Sequence, residues 1–358
     1  GITGLKLTYP QLALPIGLSF YTFKNLSYIL DIYMGKTEPC KGFFPYAVYS
    51  TMFPHMTAGP IVRYTDISES ISRRSINTTR LGAGAELFIK GLSKKVLLAD
   101  NLSALYTTLQ ASGTTSFVGT WLAIGAYTLE LYFDFSGYSD MAIGLGQMLG
   151  FNFNKNFDYP YISTSVSEFW RRWHISLGSW FRDYIYIPLG GNRVSTGRHI
   201  RNILVVWALT GLWHGASWNF VFWGVYYGLL LLAEKFLLGR FLEKAPVWLR
   251  NLYTMFAVII GWGFFSQTTP AAIGKMLGAM FGLGASCFAD RASLYALKSG
   301  LILMIISVIS CRPGLYQYFK RLARRNTYLA AVINAILFFL CIAYMIYSSY
   351  TPFMYQQF

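Results

Sequence analysis

Long apolar runs separated by short basic segments dominate this chain. The clearest run, residues 203–233 (ILVVWALTGLWHGASWNFVFWGVYYGLLLLA), contains no Asp, Glu, Lys or Arg. A helix needs only about 20 apolar residues to cross a bilayer core. Comparable runs predict membrane helices at 12–32, 43–62, 117–135, 252–265, 271–283, 294–311 and 329–347, with Gly-rich 81–98 and 141–151 as weaker candidates. Roughly eight to ten helices or half-helices follow, forming one all-α polytopic membrane domain over residues 1–358. Gly and Pro interrupt several runs, and broken backbone at membrane depth must be buried in protein or line a cavity. Re-entrant pieces are therefore predicted beside the full spans.

One stretch departs from the apolar pattern. Residues 167–193 (SEFWRRWHISLGSWFRDYIYIPLGGNR) gather Glu168, Arg171, Arg172, His174, Arg182, Asp183 and Arg193 among aromatics. Phe169, Trp173, Leu177, Trp180 and Tyr184 recur at helical spacing, which predicts one amphipathic helix with Arg171 and Arg182 on its far side. His174 falls at the edge of the aromatic face, beside Trp170 and Phe181. Pro188 and the Gly190–Asn192 turn end the helix. So many charges suit an interfacial or re-entrant helix rather than a span, and the phase allows an Arg172–Asp183 pair.

Composition agrees with a membrane setting. The chain is 54% hydrophobic and 13% charged, about half the charge of a soluble domain. The net charge of +15 concentrates at 63–80, 171–201, 235–250 and 312–325, which the positive-inside rule places on the cytoplasmic face. Nucleic acid is excluded as a partner, because these basic segments are short connections between spans. Cys40, Cys287, Cys311 and Cys341 are isolated, so no metal site or disulfide framework is predicted. Glu130, Asp134 and Asp140 lie inside an apolar run; acidic groups at that depth are expected to pair, here with arginines of 167–201. The hydrophobic helices after Arg250 read as scaffold.

The four histidines differ in setting. His55 follows Pro54 near a helix end and His199 lies in a basic loop, both structural or solvated positions. His214 sits inside the charge-free run between Gly211 and Gly215, where a bend or close backbone approach is expected. In helical phase it shares a face with Trp207, Gly211 and Trp218. An ionisable residue at membrane depth is a functional-site candidate; its structural alternative is an imidazole hydrogen-bonded between helices. A buried histidine near a basic surface suits acyl transfer. Imidazole can take the proton of a hydroxyl acceptor, and Arg or Lys can receive the phosphates of an acyl-CoA. No P-loop, Rossmann, GxSxG or HExxH pattern points to other chemistry.

At these residues the sequence resembles the membrane-bound O-acyltransferases, specifically their bacterial polysaccharide-acetylating branch. The motifs are EFWRRWHISLGSWFRDYIYIPLGGNR at 168–193 and GLWHGASWNFVFWGVYYG at 211–228. LPIGLSFYTFKNLSYILDIYMGK at 14–36, AGPIVRY at 58–64 and YFDFSGYSDMAIGLGQMLGF at 132–151 also match. The resemblance implies a helical bundle with a central funnel, His214 as catalytic residue and His174 as a second site residue on the approach. It further implies substrate contacts from Arg171, Arg172, Trp173, Arg182, Asp183, Asn192, Trp213, Trp218 and Asn219. No metal or bound cofactor is implied; acetyl-CoA is the expected donor. The expected partners are the bilayer, an SGNH hydrolase-like protein outside the membrane and a polysaccharide acceptor, with the chain in the bacterial cytoplasmic (inner) membrane. Such proteins carry several membrane helices before the LPIGLSFYTF segment, so those helices are expected to be missing from this chain. D-alanyl transfer from a carrier protein to teichoic acid, and a polymer transporter with His214 as proton relay, are the competing readings.

Overall fold

A computed structural model describes residues 17–215, 217–347 and 353, and among these it is helical without a strand. The first third holds α1 (Leu18–Tyr33), α2 (Phe43–Thr51), α3 (Tyr64–Ser72) and α4 (Thr78–Ser93). α4 runs through a π-helical turn at Lys94–Ala99 into α5 (Asp100–Ala111), and α6 (Phe117–Met148) follows. The middle holds α7 (Val166–Arg172), α8 (Ile175–Phe181), α9 (Thr196–His214), α10 (Trp218–Ala233) and α11 (Gly239–Lys244). The last third is α12 (Val247–Ser266), α13 (Pro270–Met280), α14 (Arg291–Ser310), α15 (Pro313–Arg325) and α16 (Thr327–Tyr347).

Four helical stretches among the described residues are long and apolar enough to cross a membrane: Trp218–Lys244, Val247–Ser266, Arg291–Ser310 and Thr327–Tyr347. These match the predicted runs at 252–265, 294–311 and 329–347 and the second half of the run at 203–233. Three other predictions change. The run at 43–62 is not a span, because Pro54 and Gly59 divide it into α2, a 3-10 turn at Phe53–His55 and extended backbone. The run at 271–283 yields only the 11-residue α13, about 16 Å long. Conversely, 117–135 and 141–151 fuse into one 32-residue helix, α6.

α6 is the axis of the bundle, with buried residues on every face from Gly119 to Gly146. Ser116 caps it by accepting from the Gly119 N–H. α4 lies antiparallel against it at two glycine crossings. A Cβ on Gly91 would stand 2.5 Å from the Gly137 carbonyl oxygen, and one on Gly144 would stand 2.6 Å from that of Gly84. Only backbones without side chains meet so closely.

The crossing also carries the buried charges. Lys95 pairs with Asp134 and Asp100, each at 2.8 Å, while Asp140 holds Lys94 at 2.8 Å and Lys90 at 3.1 Å. For Asp134 and Asp140 the expected arginine partners are thus replaced by lysines, because it is α4 and its π-turn that lie along this face of α6, while Glu130 forms no ion pair among the described residues. Around this axis Phe133, Phe135, Phe169, Trp173, Trp223 and Trp262 form one continuous aromatic core.

Candidate active site

The predicted single amphipathic helix is broken in two. α7 ends at Arg172, Trp173 is extended (φ −97°, ψ 128°), and His174 adopts a left-handed conformation (φ 45°, ψ 55°) before α8 begins. A non-glycine residue there costs of order 1–3 kcal/mol and persists only where its surroundings enforce it. The segment before α7 does so. The Asp158 N–H donates to the Arg172 carbonyl at 2.9 Å, and the Ile175 N–H donates to the Asn156 carbonyl at 2.9 Å. Backbone groups freed by the break are thereby satisfied. Despite the break, Phe169, Trp173, Leu177, Trp180 and Tyr184 are all buried, so the predicted stripe does face the protein interior.

Two polar devices fix the pieces. At the start of α7 the buried Glu234 carboxylate accepts from the N–H groups of Val166 (2.5 Å) and Ser167 (2.9 Å), and from the Ser167 hydroxyl (2.8 Å). A carboxylate on free N–H groups at a helix start is favourable through both hydrogen bonding and the helix dipole. Asn156, only 1% exposed, holds His174. Its side-chain oxygen accepts from the Ser176 N–H (3.2 Å) and hydroxyl (2.9 Å), and lies 3.2 Å from His174 Nδ1. Its nitrogen donates to Ser139 Oγ at 3.1 Å. Since that oxygen can only accept, Nδ1 carries the proton and Nε2 keeps the lone pair.

The other histidine stands at a hairpin. α9 ends at His214 and α10 begins at Trp218, confirming the predicted interruption of the charge-free run. The two helices touch backbone to backbone: a Cβ on Gly211 would lie 2.5 Å from the Phe220 carbonyl oxygen. The His214 ring sits 5.0 Å from Trp223 and 5.1 Å from Phe265, centroid to centroid. Trp213 lies between the histidines, 4.7 Å from His214 and 6.2 Å from His174.

Both histidines line one cavity of about 420 Å³, within the usual range for ligand sites. Its walls include Trp170, Trp173, Trp207, Trp223, Trp262 and Phe265, and its boundary also takes in Arg171 and Arg182, both exposed, and Ser167. The cavity therefore runs from a basic surface down to the imidazoles. His174 is 2% exposed, while His214 is partly open to the space.

Not every candidate residue reaches it. Arg172 does not line the cavity, and it pairs with Glu168 (2.8 Å) and Asp158 (3.4 Å) instead of Asp183. Asp183 binds Arg182 at 2.7 Å and Arg63 at 2.9 Å, because the break at His174 turns α8 away from the phase assumed for one helix. Trp218 is 65% exposed and stacks on Phe222; the bend at Gly215 removes it from the face of His214. Asn192 is exposed in its turn. Trp213 and Asn219 do not line the cavity, and the buried Asn219 side-chain oxygen has no hydrogen-bond partner among the described residues. Sequence reading missed Asn156, Ser176 and Glu234, and took Trp262 and Phe265 for scaffold. His55 and His199 are buried outside the cavity, His199 against the Tyr186 hydroxyl at 2.9 Å.

Fold and cavity together define a polytopic membrane protein with an internal cavity lined by two histidines. The chain belongs to the MBOAT, membrane-bound O-acyltransferase, family, whose profile matches residues 40–269 and so contains both histidines. It is 42% identical over 316 residues to the probable alginate O-acetylase AlgI of Azotobacter vinelandii, covering 87% of this chain and 62% of that protein. Its namesake in Pseudomonas putida is 37% identical over 368 residues, covering 96% of this chain and 75% of the relative. The peptidoglycan O-acetyltransferase of Helicobacter pylori is 33% identical over 304 residues, 76% of this chain and 58% of the relative. The chain thus spans less than two thirds of the first of these relatives.

Proposed function

We propose that this chain is the core of a bacterial inner-membrane O-acetyltransferase that passes acetyl groups from cytoplasmic acetyl-CoA toward an extracellular polysaccharide such as alginate. The observation that carries the reading is the single aromatic-walled cavity on which His174, His214 and two exposed arginines meet. The names of the relatives support acetyl transfer over transport.

In this reading the CoA phosphates rest on Arg171 and Arg182 while the thioester reaches down between the tryptophans. His214 takes the proton of the acceptor hydroxyl as its oxygen attacks the thioester carbonyl; the C–S bond breaks and the departing sulfur takes that proton back. His174, its Nδ1 engaged by Asn156, offers Nε2 to the donor or to the carbonyl region. The aromatic walls exclude the water that would otherwise hydrolyse the thioester. An SGNH hydrolase-like partner outside the membrane completes delivery to the polymer.

The test is transfer from radiolabelled acetyl-CoA in vesicles containing the full-length protein, with His214→Ala and His174→Ala compared with wild type. His214→Ala abolishes labelling of the polymer while the protein still inserts and folds. Wild-type labelling by that variant, or transfer from a D-alanyl carrier protein in place of acetyl-CoA, overturns the proposal.

A further inference from the structure

A second crevice lies between α4, the flank of the axial helix at Phe133, α15 and α16. Two adjoining cavities, about 350 and 720 Å³, run along α4 beneath α15 and α16, and Glu86 and Asn334 border both. Their polar ends collect basic side chains from separate elements: Lys90 of α4, Lys94 of the π-helical turn that follows it, Arg312 before α15, and Lys320 and Arg324 of α15. The remaining walls are apolar or small, including Leu97, Phe133 and Leu337 in one and Ala331, Phe338 and Phe339 in the other.

Charge is in excess there. Five cations face two carboxylates: Lys90 and Lys94 share Asp140, Glu86 borders both cavities, and Arg312, Lys320 and Arg324 form no ion pair among the described residues. Two ammonium groups lie against the ring of Tyr316, with Lys90 Nζ 4.2 Å and Lys320 Nζ 5.0 Å from its centroid. Like charges drawn together across two helices call for a counter-anion.

The surroundings specify what kind of anion. α15 joins two spans, α14 and α16, so it lies where both reach the bilayer boundary. It has no acidic residue, carries Lys320, Arg321, Arg324 and Arg325, and buries none of its own residues. That is the character of a helix lying in the headgroup plane. A soluble anion would leave the apolar trench below empty, and an uncharged lipid would leave the cations unmatched. We propose that this crevice is a specific binding site for an anionic phospholipid, its phosphate held by Lys320 and Arg324, with Arg312 adding positive charge at the far end of α15, and an acyl chain laid between α4 and α16. Basic pockets between membrane helices hold acidic lipid headgroups by this combination of charge and apolar depth.

The experiment is native mass spectrometry of the full-length protein released from nanodiscs containing phosphatidylglycerol and phosphatidylcholine in equal amounts. Wild type retains phosphatidylglycerol in preference, and the triple variant R312Q/K320Q/R324Q holds it roughly 100-fold more weakly, as loss of three interfacial cations implies. Ala331→Trp, which fills the trench and keeps every charge, also releases the lipid at an unchanged melting temperature. The pair R240Q/K244Q, removing exposed cations of α11, changes nothing. Equal retention of the two lipids, or full retention by the triple variant, overturns the proposal. Displacement by millimolar inorganic phosphate or glycerol phosphate overturns it too, since the site would then take a soluble oxyanion. None of these readouts depends on acetyl transfer.

Discussion

At the scale of single residues, the two histidines were legible because each stands among residues that make little sense for a plain span. What holds His174 was not legible. Asn156 lies eighteen positions upstream in an unremarkable NFNKNF stretch, and only the left-handed turn at 174 brings its amide oxygen to the ring. Asn156→Ala leaves His174 Nδ1 and the Ser176 donors without that acceptor, and burying such groups unpaired costs about 2 kcal/mol. A lowered melting temperature in detergent is the expected reading. If Asn156 acts through the ring, combining it with His174→Ala costs less activity than the two single losses together, since both remove the same interaction. Asp183, the ion-pair partner of the cavity-lining Arg182, offers a pH test. Partial burial would raise its carboxyl, but hydrogen bonds from Arg182 and Arg63 prevail and hold it below the ordinary carboxylate value. A depressed folded-state pKa gives stability that is present above the unfolded value, near 3.8, and lost as pH falls below it. Asp183→Asn therefore shows a smaller fall in melting temperature than wild type between pH 5 and pH 3.

Elements were legible by their buried face more than by their continuity. Periodicity assigned Phe169 through Tyr184 to the interior, and all five are there, yet it could not register that one residue with positive φ interrupts the helix. A left-handed residue changes chain direction without changing composition, so the hydrophobic pattern passes through unmarked. The opposite error occurred at α6, where Ser136, Gly137 and Asp140 suggested a gap. Those residues are where α4 packs and where its lysines bind, so the polar interruption marks a helix contact. This gives a contrast to measure. Gly91→Ala puts a methyl group against the Gly137 carbonyl oxygen, and overpacking of this kind costs about 1–3 kcal/mol. Gly274→Ala in α13 meets nothing within 4 Å and gains up to about 1 kcal/mol from helix propensity. Thermal unfolding should move down for the first and up for the second; equal shifts would contradict the close crossing of α4 and α6.

For the molecule as a whole, hydropathy revealed the class, and charge distribution revealed that basic residues gather between spans, but neither could assign different tasks to the different clusters. The structure separates them. Arg172 is consumed by Glu168 and Asp158, Arg63 by Asp183, and Lys94 and Lys95 by the carboxylates of α6. Arg171 is exposed at the edge of the histidine cavity and forms no ion pair among the described residues. A protein of net charge +15 attracts a polyanionic donor from a distance, yet only a cation at the entrance can bind it. On the proposed reading, with acetyl-CoA as donor, Arg171→Gln raises the KM for acetyl-CoA about tenfold, the value of one charge-assisted phosphate contact, with kcat unchanged because the arginine then holds ground state and transition state alike. The KM difference depends on salt. At low ionic strength wild type and variant differ most, and near 0.15 M, where charges beyond about 8 Å are screened, the long-range share of the attraction fades for both. A KM gap that narrows with salt while kcat stays level supports direct phosphate binding at the rim. A variant that instead loses kcat at unchanged KM would mean that Arg171 serves the arrangement of α7 around the histidines and that the donor enters elsewhere.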